Sequence, residues 1–185
     1  MDAVQDRPGL VPGGAVAVAA ACLLGAEGIH TAVIAEHFRE WWAEGAFFFV
    51  LSLLEGGLAV VLLLAPSRRP CQAAVLLSLA TIAVWAWSRT TGLPLGPEAG
   101  YPEAVGRADA VATSLEAVTA LALAPAVLRP TSGWLRAGRP RITAAAVAVI
   151  ALTTAFGLAG GDNHAGHIGQ APPAPINVAP APAHR

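Results

Sequence analysis

Apolar residues occur along this chain in five long runs, separated by short stretches rich in arginine, proline and glycine. The runs cover Val11–Ala35, Gly45–Ala65, Cys71–Ser88, Ala104–Leu128 and Ile142–Gly160. Each run is long enough to cross about 30 Å of hydrocarbon at about 1.5 Å per helical residue. The alternating strands that a membrane barrel needs are absent from the pattern. The sequence therefore predicts an all-α integral membrane bundle of five transmembrane helices, with a four-helix core and a C-terminal fifth helix.

The composition agrees with a bilayer protein and excludes one class of partner. Hydrophobic residues make up 55% of the chain and charged residues 12%, and the mean hydropathy is +0.59. The net charge is -1, and no basic cluster interleaved with aromatic residues offers a surface for nucleic acid. The lipid bilayer is thus the expected partner, with a homo-oligomer or a larger membrane complex as further assemblies.

The arginines concentrate on one side of the predicted membrane. That side carries Arg7, Arg68, Arg69, Arg129, Arg136, Arg139 and Arg141. Positive residues mark the cytoplasmic side of a membrane protein. We therefore predict a plasma-membrane protein with residues 1–10 in the cytoplasm, a transmembrane domain over residues 11–160, and a flexible, extracytoplasmic Pro/Ala-rich tail over residues 161–185.

Ionisable residues within the apolar runs form the candidate site, because such groups are rare in membranes and often functional. The acidic and histidine residues of the runs are Glu27, His30, Glu55, Asp109 and Glu116, and His37 just beyond the first run belongs to the same set. The two histidines are seven residues apart, as are the two acids of the fourth run, so each pair shares a helix face. Glu55 precedes two glycines, which let a neighbouring helix approach closely. We predict that these side chains converge in the outer half of the bundle, with His37 and Asp109 at the mouth of the cluster.

Two chemical interpretations of this cluster stay open. Mixed carboxylate and imidazole ligands suit a divalent metal such as Zn, Cu or Fe, and intramembrane carboxylates also suit a proton relay. Alternatively, the same groups form interhelical hydrogen bonds and ion pairs, with Arg89 or Arg107 as the countercharge. The Glu-x-x-His spacing of Glu27 and His30 matches half of a di-metal pattern, but the second pair is missing from the sequence.

A second candidate metal site follows the fifth run. Asp162, His164 and His167 lie within six residues of one another, and this set of ligands can hold Cu, Zn or Ni. An ordinary polar linker next to the membrane is the favoured interpretation of the same residues, because no further run of histidines accompanies them.

Three motifs resemble those of a known group of proteins. They are GIHTAVIAEHFREWWAEGAFFF, SRTTGLPLGPEAG and PEAVGRADAVATSLE, in this order and separated by apolar helices. Together they are similar to motifs of uncharacterised small multi-pass membrane proteins of high-GC bacteria. The resemblance covers about residues 14–128, and it implies that the outward-facing polar face is a recurring design without implying an activity.

Three functions follow from these observations. The first is binding of a divalent metal or a small cationic ligand at the outer face. The second is a proton- or cation-coupled transporter or channel subunit, and the third is a structural or assembly subunit of a larger membrane complex. Enzymatic activity is not favoured, because the sequence shows no activated serine or cysteine near a base and no His-Glu-x-x-His motif.

Overall fold

Four helices account for most of the described structure. The computed structural model describes residues 13–128 together with residues 150, 151, 154 and 155. The helices are α1 (Gly13–Glu40), α2 (Trp42–Leu64), α3 (Arg68–Thr90) and α4 (Arg107–Leu128). Each is long and apolar enough to cross a membrane. The prediction of an all-α helical bundle is thus confirmed, with four helices that are each long and apolar enough to span a membrane.

Four residues of the predicted fifth helix are described. Ile150, Ala151, Thr154 and Ala155 are helical, and the Thr154 hydroxyl donates to the Ile150 carbonyl at 2.9 Å. Ile150 is buried against α1 and α4. A fifth spanning helix nevertheless stays a prediction. The N-terminal residues 1–10, the tail over residues 161–185 and the second candidate metal site at Asp162, His164 and His167 lie outside the described residues.

Helices α1 and α2 extend further toward each other than the apolar pattern predicts. The runs end at Ala35 and resume at Gly45, whereas the helices end at Glu40 and resume at Trp42. Trp41, the single residue between the two helices, has an extended backbone with φ -155 and ψ 124. Polar residues form helical backbone hydrogen bonds as apolar residues do, so a helix can continue beyond the hydrocarbon. With 28 residues, α1 is about 42 Å long and exceeds the hydrocarbon thickness.

One end of the bundle is packed with small side chains, and we call it the alanine end. It is formed by the starts of α1 and α3 and the ends of α2 and α4. Its buried residues are Val16, Ala19, Ala20, Leu23, Ala59, Leu62, Cys71, Ala74, Leu123 and Ala126. Alanine side chains let helix backbones approach closely, and in lipid this close packing is a main source of helix association.

The opposite end, which we call the loop end, is covered by the connection between α3 and α4 over residues 91–106. Gly92 has a φ of 74°, and a Cβ at this position would overlap the backbone of Tyr101. The turn therefore requires glycine. The amide of Gly100 donates to the carbonyl of Leu93 at 2.8 Å, and the amide of Glu103 donates to that of Ser88 at 3.1 Å. These bonds fold the loop back onto the helix ends.

Candidate functional site

Three of the six predicted site residues meet at the centre of the bundle. Nδ1 of His30 lies 3.0 and 2.9 Å from the two carboxylate oxygens of Glu55. The carboxyl group of Glu55 is in turn within hydrogen-bonding reach of that of Glu116. His30 is 7% exposed, and both glutamates are 0% exposed. We call this set, contributed by α1, α2 and α4, the central triad.

Helix α3 adds a hydroxyl group to the central triad. Ser78 is fully buried, and its side chain lies near the Glu116 carboxyl. Neither the Ser78 hydroxyl nor either Glu116 oxygen has a hydrogen-bond partner among the described residues. Buried polar atoms are nearly always satisfied in proteins, so Glu116 needs a proton of its own or a bound group.

Glu27 does not join the central triad, although it lies on the same helix as His30. Its carboxylate accepts a hydrogen bond from the Thr31 hydroxyl at 3.0 Å, and its stem packs next to Gly56 of α2. Its offset of three residues from His30 leaves the carboxylate half-buried at the side of the cluster.

Asp109 takes part in an ion-pair group at the loop end rather than in the central triad. Nη2 of Arg89 donates to Asp109 Oδ2 at 2.6 Å, and Nη1 of Arg89 donates to Glu103. Asp109 also accepts from the amide of Gly106 at 3.1 Å, which caps the start of α4. One guanidinium therefore ties the end of α3 to the loop and to α4, which is the countercharge role that the ion-pair interpretation gave to Arg89.

His37 also lies at the loop end, with acidic neighbours of its own. Its Nδ1 is 3.6 Å from Glu40 and 3.4 Å from Glu44, and its ring stacks on Phe48 at a centroid distance of 4.4 Å. In the described part of the chain, this is the one group of three or more histidine, cysteine or acidic residues whose ligand atoms lie within 4.8 Å of one another.

A cavity of about 340 Å³ lies between the central triad and the charged groups of the loop end. His30 lines it together with His37 and Glu44 and with the ion-pair group of Arg89, Glu103 and Asp109. Most of the other lining residues are apolar or aromatic, including Trp41, Phe47, Phe48, Leu51 and Trp85. Leu93, Pro94 and Leu95 of the α3–α4 loop complete the lining.

Two buried donors belong to residues that line the cavity. Nε1 of Trp85 and Nε of Arg89 have no hydrogen-bond partner within the described residues. Small-molecule sites typically combine apolar walls with a few polar groups that orient the ligand. This cavity has that composition.

Sequence reasoning missed several residues that the structure places around the cavity. Glu44 and the aromatic residues Phe48 and Trp85 were treated as parts of apolar helices or their ends. Phe48 and Trp85 lie on α2 and α3 rather than on the helix of His30 and His37, and aromatic residues are ordinary in apolar helices, so the sequence contained no signal that set them apart. Ser78 gave no signal, because single serines are ordinary in membrane helices.

Comparison of the chain with protein-family models, curated proteins and solved structures finds no match. The resemblance to small bacterial membrane proteins therefore depends on the three motifs alone.

Proposed function

We propose that this membrane protein binds a small organic cation in the cavity at the loop end. The observation that carries the proposal is the composition of the cavity, which combines aromatic walls, an excess of carboxylates and a buried histidine. Its volume of about 340 Å³ falls in the range of small-molecule sites.

Charge supports a cationic ligand over an anionic one. The lining carries three carboxylates, from Glu44, Glu103 and Asp109, against the single guanidinium of Arg89. Aromatic rings such as those of Phe48 and Trp85 attract a cation through their negative faces, and this attraction strengthens where water is excluded. The buried donors of Trp85 and Arg89 favour a ligand that also carries an acceptor oxygen.

The proposed topology places this site at the outer face of the membrane. It has five spanning helices, a cytoplasmic N-terminus and an extracytoplasmic C-terminus, on the basis of the arginine distribution. The loop end then faces outward. Arg68, whose Nη2 donates to the Val127 carbonyl at 3.1 Å, then lies on the cytoplasmic side, where arginines are expected.

The test uses choline as a probe, because it combines a quaternary ammonium group with a hydroxyl. Binding is followed by tryptophan fluorescence and by calorimetry on the full chain in detergent. We expect choline to bind at least about tenfold more tightly than its uncharged carbon isostere, since a desolvated cation–π contact is worth about 1 to 2 kcal/mol.

Matched variants locate the binding. Glu44→Gln removes a carboxylate from the cavity lining and should weaken choline binding by about tenfold, whereas Glu98→Gln removes an exposed carboxylate from the neighbouring loop and should leave binding unchanged. Equal binding of choline and its isostere would contradict a cation site, and so would equal effects of the two variants.

A second candidate function is divalent-metal binding at His37, Glu40 and Glu44, because their ligand atoms lie within 4.8 Å of one another. One imidazole and two carboxylates suit Zn. Zn should raise the melting temperature of the wild type and leave that of His37→Gln unchanged. A wild type that does not respond to Zn would exclude this candidate without affecting the choline test.

A further inference from the structure

The buried centre of the bundle brings together one polar side chain from each of the four helices. His30, Glu55, Ser78 and Glu116 come from α1, α2, α3 and α4, respectively. Contacts link them in a row that begins at the cavity, since His30 lines the cavity, bonds Glu55 through Nδ1, and Glu55 reaches Glu116. The hydroxyl of Ser78 lies beside Glu116 without a hydrogen bond to it.

Two carboxyl groups this close cannot both be ionised without strong repulsion. Two ionised carboxylates also have no hydrogen to share, and both Glu116 oxygens would then lack a donor among the described residues. A single proton removes both problems, because one carboxyl group then donates to the other, as in other carboxyl pairs that share a proton. Since the ring of His30 bonds Glu55, the negative charge belongs on Glu55 and the proton on Glu116.

The surroundings of the pair agree with a single negative charge. From α1, the half-buried Glu27 adds a further negative charge near Glu55, and Cys22 lies near Glu116. From α4, Thr119 lies beside Cys22, while its own hydroxyl donates to the Leu115 carbonyl at 3.0 Å. Asp109, further along α4, is neutralised by Arg89. The facing group of α3 is the hydroxyl of Ser78.

We propose that Glu55 and Glu116 form a proton-binding site that holds one shared proton, and that His30 connects this proton to the cavity. His30 takes a proton from the cavity at Nε2 and gives its Nδ1 proton to Glu55. Both carboxyl groups are then protonated and neutral, and Glu55 and Glu116 exchange protons with each other. Glu55 returns a proton to Nδ1 of His30 as Nε2 releases one to the cavity, so one proton enters, one leaves, and the single negative charge on Glu55 is restored. The site is independent of which ligand occupies the cavity.

Infrared spectroscopy of the full chain tests the shared proton, because a protonated carboxylic acid has a carbonyl band that a carboxylate lacks. At neutral pH the wild type should show a buried acid band equivalent to one carboxyl group, which shifts when the glutamate carboxyl carbons are isotope-labelled. This measurement needs no variant. Absence of the band, or an intensity of two groups, would overturn the proposal.

Substitutions then assign the proton. Glu116→Gln keeps the shape and can donate to Glu55 through its amide, and it should abolish the band. Glu55→Gln should shift the band but keep it, because Glu116 retains its proton. Glu98→Gln, at an exposed loop position, should leave the band unchanged. A band that survives in Glu116→Gln would place the proton elsewhere and overturn the proposal.

The route through His30 is tested by the rate at which the band shifts after transfer to heavy water. His30→Gln keeps a donor for Glu55 but cannot take up a proton at one atom and release it at another. We expect the exchange to slow by at least about tenfold, while the intensity of the band stays that of the wild type. An unchanged rate would overturn the route through His30.

Discussion

The two ends of this bundle use the same four helices but pack in opposite ways. At the alanine end, Ala19, Ala20, Ala59 and Ala74 are completely buried. At the loop end, rings and charged side chains meet around a cavity of about 340 Å³. Small side chains let backbones approach until no space is left, whereas rings and charged groups hold the helices apart.

Close packing, which stabilises the bundle, therefore lies at one end of the helices, and the candidate binding groups lie toward the other end. Ionisable groups in a membrane are costly, and they persist where they pair with each other or serve a function. The core of the alanine end contributes close packing without buried acidic, histidine or arginine side chains. The loop end carries the ion-pair group of Arg89 and the cluster of His37, and the central triad lies between the two ends. The effect of a substitution should therefore have a different physical cause at each end: lost close packing at the alanine end, and lost charge pairing at the loop end.

The largest effect should come from overfilling the alanine end. Ala59→Leu introduces three carbon atoms at a position that is 0% exposed, and we expect it to lower the free energy of unfolding by about 3 kcal/mol, because a close-packed interface has no room for them. Unfolding in mixed detergent micelles measures the effect.

The neighbouring residue provides the control for this change. Val60 is 49% exposed on the outside of the bundle, and Val60→Leu should change the free energy of unfolding by less than about 0.5 kcal/mol. Equal losses in the two variants would mean that the alanine end is no more closely packed than the lipid-facing surface, and the comparison between the ends would fail.

A smaller effect is expected from removing the cation of the loop end. Arg89→Gln leaves Glu103 and Asp109 without a charged donor, and charged hydrogen bonds contribute about 1.5 to 3 kcal/mol each. The two carboxylate side chains are 33% and 29% exposed, so water compensates for part of the loss. We expect the free energy of unfolding to fall by about 2 kcal/mol.

Arg39→Gln is the matched control, because Arg39 is exposed near the end of α1. It should have little effect on unfolding. Equal losses in Arg89→Gln and Arg39→Gln would show that the ion-pair group of Arg89 does not stabilise the loop end.

The sequence was sufficient to predict the four described helices, because a run of about 18 apolar residues has few alternatives in a membrane. It located the ends less well. An apolar run indicates which residues lie in the hydrocarbon. The helices continue beyond it, since α1 ends at Glu40 and α2 begins at Trp42, on either side of the turn at Trp41.

The candidate site was predicted only as a set of residues. Periodicity identifies residues on one helix face, but it does not give the rotation of that face relative to the neighbouring helices. His30 and Glu27 are three residues apart, yet the first bonds Glu55 and the second bonds Thr31. The rotation is determined by side-chain packing between helices, which single-helix patterns do not contain. For the same reason, Asp109 and Glu116 are seven residues apart on α4 but belong to different groups. Asp109 bonds Arg89, whereas Glu116 belongs to the central triad.

The smallest effect should define how far close packing extends along α1 from the alanine end. A Cβ on Gly25 would lie 2.5 Å from the Thr154 hydroxyl oxygen and 3.0 Å from Leu115 Cδ1, whereas a Cβ on Gly28 would meet nothing within 4 Å. Gly25→Ala should lower the free energy of unfolding by about 1 kcal/mol through overpacking. Gly28→Ala should raise it by up to about 1 kcal/mol, because alanine favours the helix.

A double variant tests the contact with Thr154. Combining Gly25→Ala with Thr154→Gly removes the closest contact, so the two changes should be coupled, and the double variant should lose less free energy of unfolding than the sum of the single variants. Additive effects would mean that the segment containing Thr154 does not pack on α1, and that the close packing depends on α4 alone.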